Sequence, residues 1–164
     1  MKIKPLKPYP NHPEFEELLN SCASMTYQLE ALGHKLTVTL IQEGVNKNSF
    51  SRFIFLNLNQ KPVIAAYSSC QLKDQYFVKL LQNANITPIG KFLFAPYSEV
   101  KREDNMQISF IKLEDISQQI IQTNLLQQNY QPQQQLWLRS SVFSYQNEKL
   151  YLDEFILPEL DSFF

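Results

Sequence analysis

Polar and apolar positions alternate most regularly near the C-terminal end, from Leu136 to Leu157, which predicts two strands around the turn Tyr145-Gln146-Asn147-Glu148. In the second strand Leu150, Leu152, Glu154 and Ile156 share one face, so a carboxylate sits in an aliphatic row. In the first strand Trp137, Arg139, Ser141, Phe143 and Tyr145 share a face, placing a guanidinium in a largely aromatic row. An ionised group in such a row is costly unless it is paired or hydrogen-bonded.

The same period of two recurs upstream. Leu36, Val38 and Leu40 oppose Thr37, Thr39 and Ile41, predicting a strand that ends near Glu43-Gly44. Phe50 to Leu58 is the next, with Phe50, Arg52, Ile54, Leu56 and Leu58 on one parity and Ser51, Phe53, Phe55 and Asn57 on the other, both partly apolar, as suits a central strand covered on two sides. After the turn Asn57 to Lys61, the run Pro62 to Tyr67 reads as its hairpin partner. Gln107 to Leu113 is a strand with less regular alternation, reached through a charged connector, Lys101 to Met106.

Helical spacing fills the gaps. Pro13 opens a helix with Phe15, Leu18 and Leu19 on one side, and Asn20-Ser21 breaks it. A second short helix runs from Met25 to Leu32, capped by Ser24 and stopped by Gly33. Gln71 to Ala84 carries an apolar side of Leu72, Phe77, Leu80 and Leu81, and Thr87-Pro88 introduces a short helix over Ile89 to Phe94. A further helix is expected from Ile116 to Leu126, followed by a surface loop over Gln127 to Gln135. The four prolines of Met1 to Pro13 predict an extended arm, and Glu159 to Phe164 a tail after Pro158. Strands joined by short turns, with helices grouped between them, argue for an α+β domain with a mainly antiparallel sheet, one domain over residues 1–164.

Composition narrows the function. Fifteen basic and 16 acidic residues give a net charge of -1, which removes the electrostatic warrant for a nucleic-acid partner. No stretch approaches the roughly 18 apolar residues of a membrane span, and the N-terminal lysines precede no apolar run, so a cytoplasmic protein is expected. The 2 cysteines, Cys22 and Cys70, read as reduced and inert. His12 and His34 have no partner at metal-ligand spacing, and no phosphate loop or nucleophile elbow occurs. Arg52, Arg139 and Glu154 remain as candidate chemistry. Arg52 either snorkels to water or presents a fixed fork to a ligand carboxylate. Glu154 either pairs structurally with an arginine or lines a pocket, where apolar neighbours oppose its charge and an adjacent arginine favours it. Together they propose a pocket for a small, anionic, partly apolar ligand.

Four stretches carry a resemblance. They are Ser24-Met25-Thr26 with Val38-Thr39-Leu40-Ile41-Gln42-Glu43-Gly44; Arg52 with Pro62; Thr87-Pro88-Ile89-Gly90-Lys91-Phe92-Leu93-Phe94; and Leu136-Trp137 through Arg139 to Glu154-Phe155-Ile156-Leu157-Pro158. In this order, over Met25 to Pro158, they resemble the chorismate pyruvate-lyase family, which makes 4-hydroxybenzoate for ubiquinone synthesis. The resemblance implies a six-stranded antiparallel sheet covered by helices, a flap-closed internal pocket and a monomer. It implies that Arg52 binds the carboxylate of the aromatic acid and that Glu154 contacts the oxygen at the far end of the ring. Met25, Ala66 and Ile89 match positions lining the pocket; Ala66 stands in place of a glycine, Ile89 of a leucine, and Lys91 and Tyr67 of arginines.

The implied reaction, elimination of pyruvate from chorismate, needs no cofactor, because aromatisation supplies the driving force. Arg52 would anchor the substrate and Glu154, when protonated, would assist departure of the ether side. Arg139 would either neutralise the enolpyruvyl carboxylate or hold Glu154. The alternative is a non-catalytic domain that senses a small aromatic acid, since ligand-binding domains of some bacterial transcription regulators resemble the lyase fold.

Overall fold

The computed structural model describes residues 13–164, and the expected N-terminal arm and His12 lie outside them. The described residues form seven strands, β1 (Leu36–Asn46), β2 (Ser49–Leu58), β3 (Lys61–Gln71), β4 (Lys101–Arg102), β5 (Gln107–Lys112), β6 (Gln135–Tyr145) and β7 (Glu148–Ile156). The helices are α1 (Pro13–Asn20), α2 (Met25–Glu30), α3 (Gln75–Ala84), α4 (Gly90–Leu93) and α5 (Gln119–Gln127), with 3-10 turns at Leu113–Asp115 and Pro158–Phe163. The strands make one antiparallel sheet in the order β1-β2-β3-β7-β6-β4, with β5 also paired to β6. This is the α+β architecture expected from the alternation.

Several boundaries move, each for a physical reason. β1 runs on to Asn46 because the register shifts between Leu40 and Gln42, and the extra residue restores pairing with β2. Asn59 and Gln60, both at positive φ, make the two-residue turn that lets β2 and β3 pair. β3 extends through Gln71, so α3 begins at Gln75 rather than Gln71. α4 is confined to Gly90–Leu93, and α5 starts at Gln119 after the 3-10 turn. The charged connector contains a two-residue strand, β4, which makes seven strands instead of six. α2 ends at Glu30 with Ala31 as its C-cap, two residues short of the expected Leu32, and Gly33, at φ 83, follows in the turn that leads to β1.

Two apolar clusters cover the sheet. On one face Phe50, Ile54, Leu56 and Ile156 pack with α1, α2, α3 and α4 through Phe15, Met25, Leu29, Phe77, Leu81 and Leu93. On the other face Phe53, Phe55, Ala65 and Phe155 pack against Leu113, Ile121 and Leu125, which brings in α5. Strict alternation along β2 and β7 therefore sorts side chains between a many-helix face and a one-helix face.

Candidate functional site

The site grows out of one row across the centre of the sheet. By register, Ile54 on β2 opposes Ala66 on β3, Ala66 opposes Glu154 on β7, and Glu154 opposes Arg139 on β6. All four face the side that carries α1 to α4. Above them sits a small pocket whose cavity volume is about 20 Å³, closed down by the elements that roof it. Its floor includes Ile54, Leu56, Ala66, Leu152, Arg139 and Glu154. Its roof is made by the start of α2 (Ser24, Met25, Thr26) and by the segment around α4 (Pro88, Ile89, Gly90, Leu93, Phe94), and Arg102 of β4 closes one side.

Glu154 and Arg139 answer each other. Arg139 Nε donates to Glu154 Oε1 at 3.0 Å, and both residues are buried, at 0% and 4% exposure. The rest of the guanidinium is used to hold the roof. Nη1 donates to the carbonyl of Ser21 at 2.9 Å and Nη2 to that of Ala23 at 3.5 Å, so Arg139 ties the α1–α2 connection to the sheet. The connection then enters α2 through Ser24, whose hydroxyl accepts from the Tyr27 N–H. A buried ion pair is tolerable when its remaining donors are also satisfied, which is the arrangement here.

The two parts of the roof touch closely. A Cβ added to Gly90 would lie 2.6 Å from Thr26 Oγ1 and 2.7 Å from Ser24 Oγ, so only glycine lets α4 approach α2 at this distance. On the outside, Lys91 Nζ lies 2.6 Å from Glu30 Oε1 and 4.6 Å from the centre of the Tyr27 ring. These contacts bridge the same two helices where solvent reaches them.

Arg52 has a different station. It lies on the same face, one residue pair along β2 from Ile54, and is 1% exposed. It is not among the residues that line the pocket. Its guanidinium donates to the carbonyls of Asn85 at 2.5 Å, Thr87 at 3.4 Å and Leu81 at 3.5 Å. These are carbonyls at and beyond the end of α3, which the helix cannot satisfy itself. Burial pushes the Arg52 guanidinium below its usual range, partly offset by the charge of Glu43 across the strand pair. Arg52 thus fixes the α3–α4 connection, and with it the half of the roof that contains Ile89.

Met25, Ala66, Ile89, Arg139 and Glu154 are therefore brought to one pocket, and Arg52 stands beside it with its donors turned to backbone. Arg102 was missed by sequence reasoning. It sits in a charged stretch whose neighbours Lys101, Glu103 and Asp104 mark it as surface, and only its pairing with Phe143 on β6 turns it inward. Among the described residues no group of three or more His, Cys, Asp or Glu could hold a metal ion. No described helix is long and apolar enough to cross a membrane.

No family model matches the sequence, and no curated protein matches it either. Solved structures do match in fold. One is the ligand-binding domain of a protein described as a GntR-family transcriptional regulator from Bordetella bronchiseptica, with TM-score 0.50 and 10% identity over 76% of this chain and 87% of that one. PhnF from Mycobacterium smegmatis aligns with TM-score 0.56 and 8% identity, over 85% of this chain and 66% of PhnF. The effector domain of the same PhnF gives TM-score 0.50 and 8% identity, over 84% of this chain and 90% of that domain. At such identities the likeness is one of fold alone. The chain shares the architecture of these regulator ligand-binding domains, an antiparallel sheet backed by helices.

Proposed function

We propose that the pocket binds a small aromatic or pre-aromatic acid and that the chain is a chorismate pyruvate-lyase. The observation that carries this reading is convergence. Ser24-Met25-Thr26, Pro88-Ile89-Gly90, Leu93-Phe94, Arg139 and Glu154 come from separate stretches of the lyase resemblance, and they line a single pocket.

In the reaction the ring C–O bond to the enolpyruvyl group breaks, and the ring carbon bearing the hydroxyl loses its proton, leaving 4-hydroxybenzoate. The departing group leaves as the enolate of pyruvate, and one proton, equal to the one the ring gives up, on its terminal carbon completes pyruvate. The protein's part is to orient the substrate and to meet charge as it shifts. Glu154, held from one side by Arg139, accepts from the ring hydroxyl. Ile54, Leu56, Ala66 and Leu152 offer the apolar floor on which a flat ring lies once the roof of α2 and α4 lifts to admit it. The roof over Met25 and Ile89 excludes water from the reacting bond.

The test is to incubate purified protein with chorismate, without added metal, and to quantify both products. Equal amounts of 4-hydroxybenzoate and pyruvate are expected. Absence of both with the protein folded would overturn the lyase reading. A second reading is favoured by the structural neighbours: a domain that binds an aromatic acid as a signal and does not turn it over. Tight 4-hydroxybenzoate binding without chorismate consumption is its signature.

A further inference from the structure

The pocket wall carries two arginines, and they are not in the same state. Arg139 is neutralised by Glu154 at 3.0 Å and spends its other nitrogens on the Ser21 and Ala23 carbonyls. Arg102 is half-buried, and only Nη1 has a near acceptor, the carbonyl of Cys22 at 2.6 Å. Its Nε is buried without a hydrogen-bond partner. Two rings flank the guanidinium, with Phe94 at 5.2 Å and Phe143 at 5.0 Å from its central carbon. Cation–π contacts of this kind hold the charge in place without using its donors. Arg52, the third arginine on this face, stands outside the pocket in its cage of carbonyls.

Building on the aromatic-acid reading of the site, we infer that Arg102 is the residue that receives the ligand carboxylate and selects acids over neutral rings. An anion entering the pocket meets a paired Arg139–Glu154 couple of zero net charge and one guanidinium whose charge is answered by no hydrogen-bonded carboxylate. A carboxylate admitted as the roof opens satisfies the orphaned donor and relieves the crowding of two cations. That crowding is present in the resting protein: burial and the charge of Arg139 both push the Arg102 guanidinium below its usual range, with Glu154 opposing. The position of Arg102 on a two-residue strand paired to Phe143 sets the fork at the pocket side, while Glu154 sits in the floor. A ring acid can then be held at two points, carboxylate at Arg102 and hydroxyl at Glu154.

The experiment compares 4-hydroxybenzoate with 4-hydroxybenzamide, which keeps ring and hydroxyl and lacks the charge, by calorimetric titration of the full chain. Wild type is expected to favour the acid. Arg102→Gln should weaken acid binding by about 30-fold or more, as expected when one partner of a buried charged hydrogen bond is removed, and leave amide binding within about threefold. Arg102→Lys keeps the charge without the fork and should keep a preference for the acid, reduced by about threefold to tenfold. If Arg102→Gln does not fold, the lysine variant decides, because an unchanged acid affinity together with a lost amide affinity contradicts the inference. Equal losses for both ligands, or none for either, also overturn it. Wild type that binds neither ligand would remove the aromatic-acid reading itself, a result separable from a failure at Arg102 alone.

Discussion

The sheet has the same backbone on both sides, but its two faces are built for different ends. On the α5 side the strands contribute Phe53, Phe55, Ala65, Leu136 and Phe155, a packed apolar layer in which rings and aliphatic chains fill the space. On the side of α1 to α4 the same strands contribute Arg52, Arg139 and Glu154, each almost wholly buried. Charges placed in an interior cost free energy that an apolar residue of similar volume would not. That cost is concentrated on the face with the pocket. The difference teaches that both faces are held by apolar packing, the larger share on the α1–α4 side, and that this side alone also buries Arg52, Arg139 and Glu154, whose arginines tie its roof to the sheet.

The strongest way to break the contrast is to make the pocket face resemble its opposite. Arg139→Met leaves Glu154 buried without its partner and frees the α1–α2 connection, so a loss of about 3–5 kcal/mol is expected in chemical denaturation. The double variant Arg139→Met/Glu154→Leu removes both charges and should recover most of that stability. It should also lose ligand binding and turnover, since the floor is then apolar throughout. A double variant that stays as unstable as the single one would mean that the bonds to the roof carbonyls, and not the pair, set the cost.

The opposite face gives the complementary experiment. Leu125 on α5 is fully buried among apolar side chains, and Leu125→Ala should cost about 2–5 kcal/mol by the cavity it leaves. Ligand affinity measured below the unfolding transition should be unchanged, because no residue of α5 lines the pocket. A matching loss of affinity would show that the two faces are energetically coupled.

What the sequence carried follows the same division. Alternation along Leu136–Leu157 was enough to place two strands and to set Glu154 in an aliphatic row, and Phe50–Leu58, partly apolar on both parities, marked a strand covered on two sides. The pairing of Arg139 with Glu154 was also within reach, since a short hairpin fixes which residues face each other. Arg52 was visible as a guanidinium in an apolar strand, open to water or to a ligand carboxylate, but not as a cap on α3, because its partners are backbone carbonyls, which leave no mark in the sequence. Arg102 was hidden for a related reason: a two-residue strand is too short to show a period, and its neighbours are charged. The solved neighbours, at 8–10% identity, carry the fold and leave the pocket's chemistry to its own residues.

The smallest of these effects concerns the roof. Gly90 begins α4 with the side chains of Thr26 and Ser24 so near that an added methyl group must displace one of them. Gly90→Ala should therefore cost about 1–3 kcal/mol, the usual range for overpacking. Gly90 is the first residue of a four-residue helix, where the preference of helix interiors for alanine offsets little of that cost. Function should suffer more than stability. Pushing α4 away from α2 disturbs the Ser24 cap and opens the roof over Met25 and Ile89, while the floor row from Ile54 to Arg139 is untouched. The expected result is faster release of 4-hydroxybenzoate in stopped-flow measurements, with an acid-over-amide preference that persists. Unchanged release would mean that the roof parts elsewhere, at the Lys91–Glu30 contact or at the Arg139-held connection, and would direct the next variant there.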